Sequence, residues 1–219
     1  MPRVARVVLP GYPHHITHRG NYKQIVFEQP DDYIFYSNLV KKYFPKYGLD
    51  ILCYVLMPNH VHFILIPEVK DALAKGLNVT QMIYAQYINE KHSTQGHLWS
   101  SRFYSCILDP AHLYRAVRYV ERNPVRAKLV KKAWDWQWSS AKEHVFGEKG
   151  IVPLVEVAKF IDVDNWGKYL SQEDEEYNEK LRKHTRTGKP IGDKSFVEKL
   201  EAIFGRRFSS EPGRPKSKN

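Results

Sequence analysis

Along this 219-residue chain the spacing of apolar residues switches between two periods. Phe35, Leu39, Val40 and Tyr43 recur three and four apart, the spacing of one helix face; Asp31 and Asp32 can cap the start of that helix and Gly48 can end it. Residues 50–56 and 60–66 are almost unbroken apolar runs rich in β-branched side chains. The break between them, Met57-Pro58-Asn59, predicts two paired strands and not one long helix. Val79, Met82, Ile83 and Tyr87 return to helical spacing and predict a helix over 79–92. Extended segments are expected at 3–8, 13–18 and 102–108. Asp109-Pro110 then offers an N-cap and a first-turn proline to a helix carrying Leu113, Val117 and Val120, which Pro124 ends. Strands and helices interleaved around a central hairpin predict an α+β fold with an antiparallel sheet. Further on, 194–204 is amphipathic, whereas QEDEEYNEK (172–180) reads as a linker or an exposed helix. The expected organisation is a main domain at 1–150, an acidic connector at 151–180, and a small helical basic extension at 181–219 that ends in a polar tail.

Charge sharpens this division. The chain carries a formal +10, unevenly spread: +3 over residues 1–100, +5 over 101–140, −6 over 141–179 and +8 over the last forty. Two basic blocks interleaved with Tyr, Phe and Trp favour a nucleic-acid partner, because phosphate binding and base stacking use these residue types. The aromatic content excludes a mostly disordered chain. No apolar run approaches the roughly 20 residues a membrane helix needs. The opening MPRVARVVLPGYPHH lacks the apolar core of a secretory signal. Cys53 and Cys106 have no CxxC spacing, so a reduced, cytoplasmic protein without membrane attachment is expected.

Candidate chemistry begins at His60-Val61-His62. Side chains two apart in a strand share a face, so both imidazoles project together. They are either ordinary histidines on a half-exposed strand or two ligands of one divalent metal. Tyr119 taken alone reads as a packed aromatic. Its context adds a second reading: Arg115 and Asn123 lie four residues away and Arg122 three, so a phenol stands among cations suited to attack on a phosphate. The amide oxygen of Asn123 is hard enough for Mg²⁺ or Mn²⁺. Together these parts fit phosphodiester chemistry, with a metal held by His60, His62 and Asn123 and with Tyr119 as a nucleophile that becomes linked to DNA. Arg102, Arg115, Arg118, Arg122, Arg126 and Lys128 are read as phosphate contacts. Trp99, Phe103 and Tyr104 are candidates to stack on unpaired bases, Phe103 equally a core residue. His14 and His15 alternate to opposite strand faces and, with His18, are left unassigned; Trp134, Trp136 and Trp138 are assigned to packing. Gly213-Arg214-Pro215 reads equally as a minor-groove hook and as part of a polar tail.

LMPNHVHFIL (56–65), GHLWSSRFYSCILD (96–109), YVERNPVRAKLV (119–130) and WQWSSAKEH (136–144) resemble the HUH-type single-tyrosine transposases, above all the REP-associated branch and its insertion-sequence relatives. GYPHHITHRGN (11–21) resembles that family's first strand and loop. The resemblance spans most of 1–145. It implies a ferredoxin-like antiparallel sheet flanked by helices with the histidine pair on a central strand. It also implies metal-dependent nicking and joining of single-stranded DNA beside short hairpins, leaving a 5′-phosphotyrosine and a free 3′-OH. His60 and His62 match the family's histidine pair, Tyr119 its nucleophile, and Asn123 its third ligand, where relatives often carry Gln, Glu or Asp. A monomer and a homodimer with exchanged tyrosine helices both remain compatible. Two other readings stand beside this one: a hairpin-binding protein that has lost turnover, and a hydrolytic metalloenzyme acting on small substrates.

Overall fold

A computed structural model describes residues 6–208; the first residues of the extended segment expected at 3–8 and the tail from 209, with Gly213-Arg214-Pro215, lie outside them. The sheet comprises β1 (His14–Arg19), β2 (Leu49–Met57), β3 (His60–Pro67) and β4 (Tyr104–Ile107), all antiparallel, in the order β2-β3-β1-β4. With α1 (Pro30–Lys46) and α2 (Ala72–Lys91) between strands, this is the ferredoxin-like α+β arrangement expected from the sequence. Residues 6–8 form no strand. Helix α2 starts seven residues earlier than expected. Gly76 weakens the helical pattern there and is needed for packing: a Cβ at that position would lie 2.5 Å from Leu49 Cδ1.

The two sheet faces are covered differently. Ile16, Val61, Phe63 and Leu65 point to the α1–α2 side and meet Tyr36, Val40, Phe44 and Tyr84. Val55, Ile64, Ile66 and Cys106 point to the other side, under α3 (Pro110–Glu121) and α7 (Glu175–Thr187). Asp109 starts α3 by accepting from the Ala111 and His112 amides, and Pro110 occupies its first turn. Helix α3 stops at Glu121, and Asn123 opens a separate short turn, α4 (Asn123–Arg126), with Pro124 in its first turn. Segments α5 (Ala141–Phe146) and α6 (Trp166–Ser171) pack beside α3, and α8 (Lys194–Phe204) matches its expected span. Helix α7 falls partly in the expected linker; Tyr177, Leu181 and Thr185 bury one of its faces. Both sheet edges are met by the chain itself. On β2, Leu56 N–H donates to Trp138 O and Val155 N–H donates to Ile51 O; beside β4, Ile191 N–H donates to Ile107 O.

Glu121, fully buried, ties α3 to α5: Ser140 Oγ donates to its carboxylate at 2.5 Å, and His144 Nδ1 lies at 2.6 Å. Burial disfavours the charged imidazole, but the Glu121 carboxylate outweighs it and raises the His144 pKa. Glu121→Ala should cost about 3 kcal/mol, lowering Tm by roughly 6–12 °C, since it leaves a buried partner uncompensated. The contribution of the raised His144 is full below the unfolded value and fades as pH rises through the folded one. Thermal melts of the two proteins should therefore converge as pH is raised.

Candidate active site

A cavity of about 580 Å³ opens where α3 and α7 leave the sheet uncovered, and it is lined by β1, β3, α4 and the two helices. The β1–β3 register sets Thr17 opposite His62 and Arg19 opposite His60, so alternation puts His15, Thr17 and Arg19 on the same face as the histidine pair. The His60 and His62 rings are 5.0 Å apart, edge to face. His60 Nδ1 donates to Asn59 Oδ1 at 2.6 Å, because an amide oxygen can only accept; His60 Nε2 keeps its lone pair. His62 Nδ1 is 2.9 Å from His15 Nε2, and His15 Nδ1 is 2.7 Å from Thr185 Oγ1. The His15 and His62 rings stack at 5.1 Å, and the Tyr119 ring stands edge-on to both at 5.6 Å.

Cations surround the phenol. The Arg126 guanidinium lies 4.2 Å from the Tyr119 ring centre and donates to the Tyr119 carbonyl at 2.8 Å. Arg182, on α7, lies 5.7 Å from the same ring. Arg19 and Arg186 complete the basic lining, and no Asp or Glu is among the described residues that form it. Burial is the main cause that pushes the His15 and His60 pKa values down to about 3 and His62 well below its usual value, with nearby positive charge adding to it. These imidazoles are neutral at pH 7, the form a metal requires. A second cavity of about 350 Å³ adjoins the first and shares Tyr104, Thr185 and Arg186 with it; Arg6, Arg102 and Arg206 line it.

Among the described residues no group of three His, Cys, Asp or Glu side chains is placed to hold a metal ion. The His60 imidazole with its Nε2 lone pair, the His62 imidazole and the Asn123 amide line one cavity, and such an open donor set, leaving positions to water or phosphate, would suit Mg²⁺ or Mn²⁺. The structure thus gathers His60, His62, Tyr119, Asn123 and Arg126 at one cavity. It does not bring Arg115, Arg118 and Arg122 there. Arg115 and Arg118 pair with Asp174, Arg118 also bonds Gln172, and Arg122 bonds Glu173 and the Leu170 carbonyl. Arg102 lines the second cavity, and Lys128 is exposed beyond α4. Trp99 and Phe103, candidates for base stacking, are buried against His18, whereas Tyr104 is exposed at the cavity. Trp136 donates to Leu56 O and Trp138 stacks on Tyr33, as packing residues. Five site residues went unassigned in the sequence: His15, Arg19, Arg182, Thr185 and Arg186. Strand alternation carried a signal for His15 and Arg19 once β1 was aligned beside β3; nothing local marked the three on α7.

A family model described as transposase, IS200-like, matches residues 10–123. Among solved structures, the chain is similar to a REP-associated tyrosine transposase bound to a REP hairpin, with a TM-score of 0.57 and 21% identity over 75% of this chain and 96% of that one. That likeness concerns the fold. A protein assigned as a transposase from Deinococcus radiodurans R1 (TM-score 0.37, 16% identity, 55% of this chain and 97% of that one) is a more distant match. So is a bacterial tRNA(His) guanylyltransferase-like protein in complex with GTP (0.40, 11%, 55% and 68%). No curated protein matches the sequence. No helix among the described residues is long and apolar enough to cross a membrane.

The buried neutral imidazoles make stability depend on acid. Each has a folded pKa below its unfolded value, so unfolding takes up protons as pH falls below about 6.5. Tm should therefore drop between pH 6.5 and 4, and His15→Gln should flatten that slope by up to about 1.4 kcal/mol per pH unit. Thermal melts across that range provide the check.

Proposed function

This chain belongs to the IS200-like transposase family, and from that premise we propose that it nicks and rejoins single-stranded DNA beside a hairpin, with Tyr119 as the attacking group. The observation that carries this reading is the edge-on placement of the Tyr119 ring at 5.6 Å from the His62 ring, inside the cavity that also holds His60 and Asn123. A divalent ion bound by the Nε2 atoms of His60 and His62 and the Asn123 amide oxygen would polarise and orient the scissile phosphate. Tyr119 Oη attacks phosphorus, an O–P bond forms, and the bond from phosphorus to the departing 3′-oxygen breaks. The phenol proton leaves to solvent and the departing oxygen takes one up, giving a 5′-phosphotyrosine and a 3′-OH. Attack by a 3′-OH on the phosphotyrosine reverses the step and joins strands.

The residues of the chain divide this work. Arg126 and Arg182 favour the negative charge that develops as the phenol loses its proton. Arg19 and Arg186 neutralise the phosphates that flank the scissile one. Tyr104 offers an exposed ring to an unpaired base at the mouth. Hairpin recognition is carried over from the REP-hairpin-bound relative and suits the basic surface. Because one chain holds both Tyr119 and the histidine pair at one cavity, a monomer can complete the reaction.

A labelled single-stranded hairpin with Mn²⁺ should yield a protein–DNA adduct that survives denaturing gels. Tyr119→Phe should abolish it, a loss of roughly 10⁴-fold or more. Hairpin retention without adduct in the wild type would identify a binding protein without turnover. His62→Ala should remove cleavage while hairpin affinity, followed by gel shift, changes less than about threefold, since phosphate contacts dominate affinity. Equal loss of binding and cleavage would contradict the metal-ligand role.

A further inference from the structure

Helix α7 lies beyond the family match at 10–123, yet it faces the same cavity. Its N-cap, Asp174, also pairs with Arg115 and Arg118 of α3, and Tyr177 Oη donates to the His112 carbonyl. These contacts fix the helix over β4 and α3, and Arg182 and Thr185, three apart, then reach the cavity from one face. We propose that α7 is a working part of the active site, in which Arg182 holds the Tyr119 phenol for attack while Thr185, acting through His15, positions His62. This rests on the nicking reading above and extends it to residues outside the family match.

The Thr185 arm follows from donor and acceptor counting. A hydroxyl has one proton and two acceptor sites; Thr185 Oγ1 has His15 Nδ1 at 2.7 Å and Cys106 Sγ at 3.2 Å. With the hydroxyl proton directed to Cys106 Sγ, Thr185 accepts from His15 Nδ1–H. His15 Nε2 must then accept from His62 Nδ1–H, and His62 Nε2 presents its lone pair to the cavity. In the reverse order, Thr185 donating to His15, His62 carries its proton on Nε2 and cannot ligate. Thr185 and His15 are both about 1% exposed, so no water can replace the missing acceptor. The Arg182 arm is direct: Glu175 anchors the guanidinium at 2.7 Å, and the guanidinium stands 5.7 Å from the Tyr119 ring centre at the same cavity.

The test uses the full chain. Mn²⁺ affinity is read by electron paramagnetic resonance without DNA, and adduct formation on the hairpin is read under single-turnover conditions. Thr185→Val should weaken Mn²⁺ binding roughly 10–100-fold, and Thr185→Ser should restore it. Arg182→Gln should leave Mn²⁺ affinity unchanged and slow adduct formation at saturating DNA by roughly 10²-fold. Wild-type Mn²⁺ affinity in Thr185→Val, equal damage in Thr185→Ser, or an Arg182→Gln defect that saturating DNA removes would each overturn the assignment. Should Thr185→Val not fold, nitrogen NMR of the wild type decides: a proton on His62 Nδ1 is expected, and one on Nε2 overturns the relay. If the wild type binds Mn²⁺ but forms no adduct, the nicking reading fails, and the relay is still judged on metal affinity and tautomer.

Discussion

A four-stranded sheet with two apolar faces has to be covered twice, and the catalytic end is a consequence of how the second cover is made. Helices α1 and α2 close one face with an aromatic-rich core. The opposite face, carrying Val55, Ile64, Ile66 and Cys106, is closed by α3 and α7. Burial of this apolar surface drives both helices onto the sheet. Where they run out, β3 changes from Ile66 and Ile64 to His62 and His60, beside His15, Thr17 and Arg19 of β1. The polar groups therefore sit against a dry layer on one side and an open cavity on the other. This position keeps the imidazoles neutral and within reach of the phenol.

Charge is distributed with equal economy. The acidic residues just before and at the start of α7 do not repel the basic helix α3; they neutralise it. Glu173 and Asp174 take up Arg122, Arg115 and Arg118, whereas the cations that face the cavity are Arg19, Arg126, Arg186 and Arg182, the last paired with Glu175. Three arginines that lie close to Tyr119 in sequence thus hold helices together, and two from α7, some sixty residues on, face the cavity. Sequence proximity and spatial role part company here because a helix presents successive residues in different directions.

That distinction also measures how much was legible in the sequence. The hairpin at 50–66 and the helix after Asp109 carry their periodicity and punctuation locally, so the pattern reveals them. Helix α1 shows the expected periodicity but starts at Pro30 with Gln29 as its N-cap, and Asp31 and Asp32, expected to cap it, lie inside its first turn. The two-residue spacing of His60 and His62 likewise predicts a common face. The start of α2 was hidden by Gly76, which is present for contact with Leu49 and not for helix propensity. Helix α7 was left between a linker and an exposed helix because charged residues surround its four buried positions, and its partner surface is a strand some seventy residues earlier. His15 needed the β1–β3 register, a long-range fact that no local window contains.

The self-covered margins of the sheet have a further effect. An unpaired strand edge offers a row of backbone donors and acceptors to any neighbouring chain. On β2 that row is partly taken up by Trp138, Ser140 and Val155, and past the short β4 by Ile191. Copies of this chain brought close together are thereby offered less of a template for ladder growth at these margins.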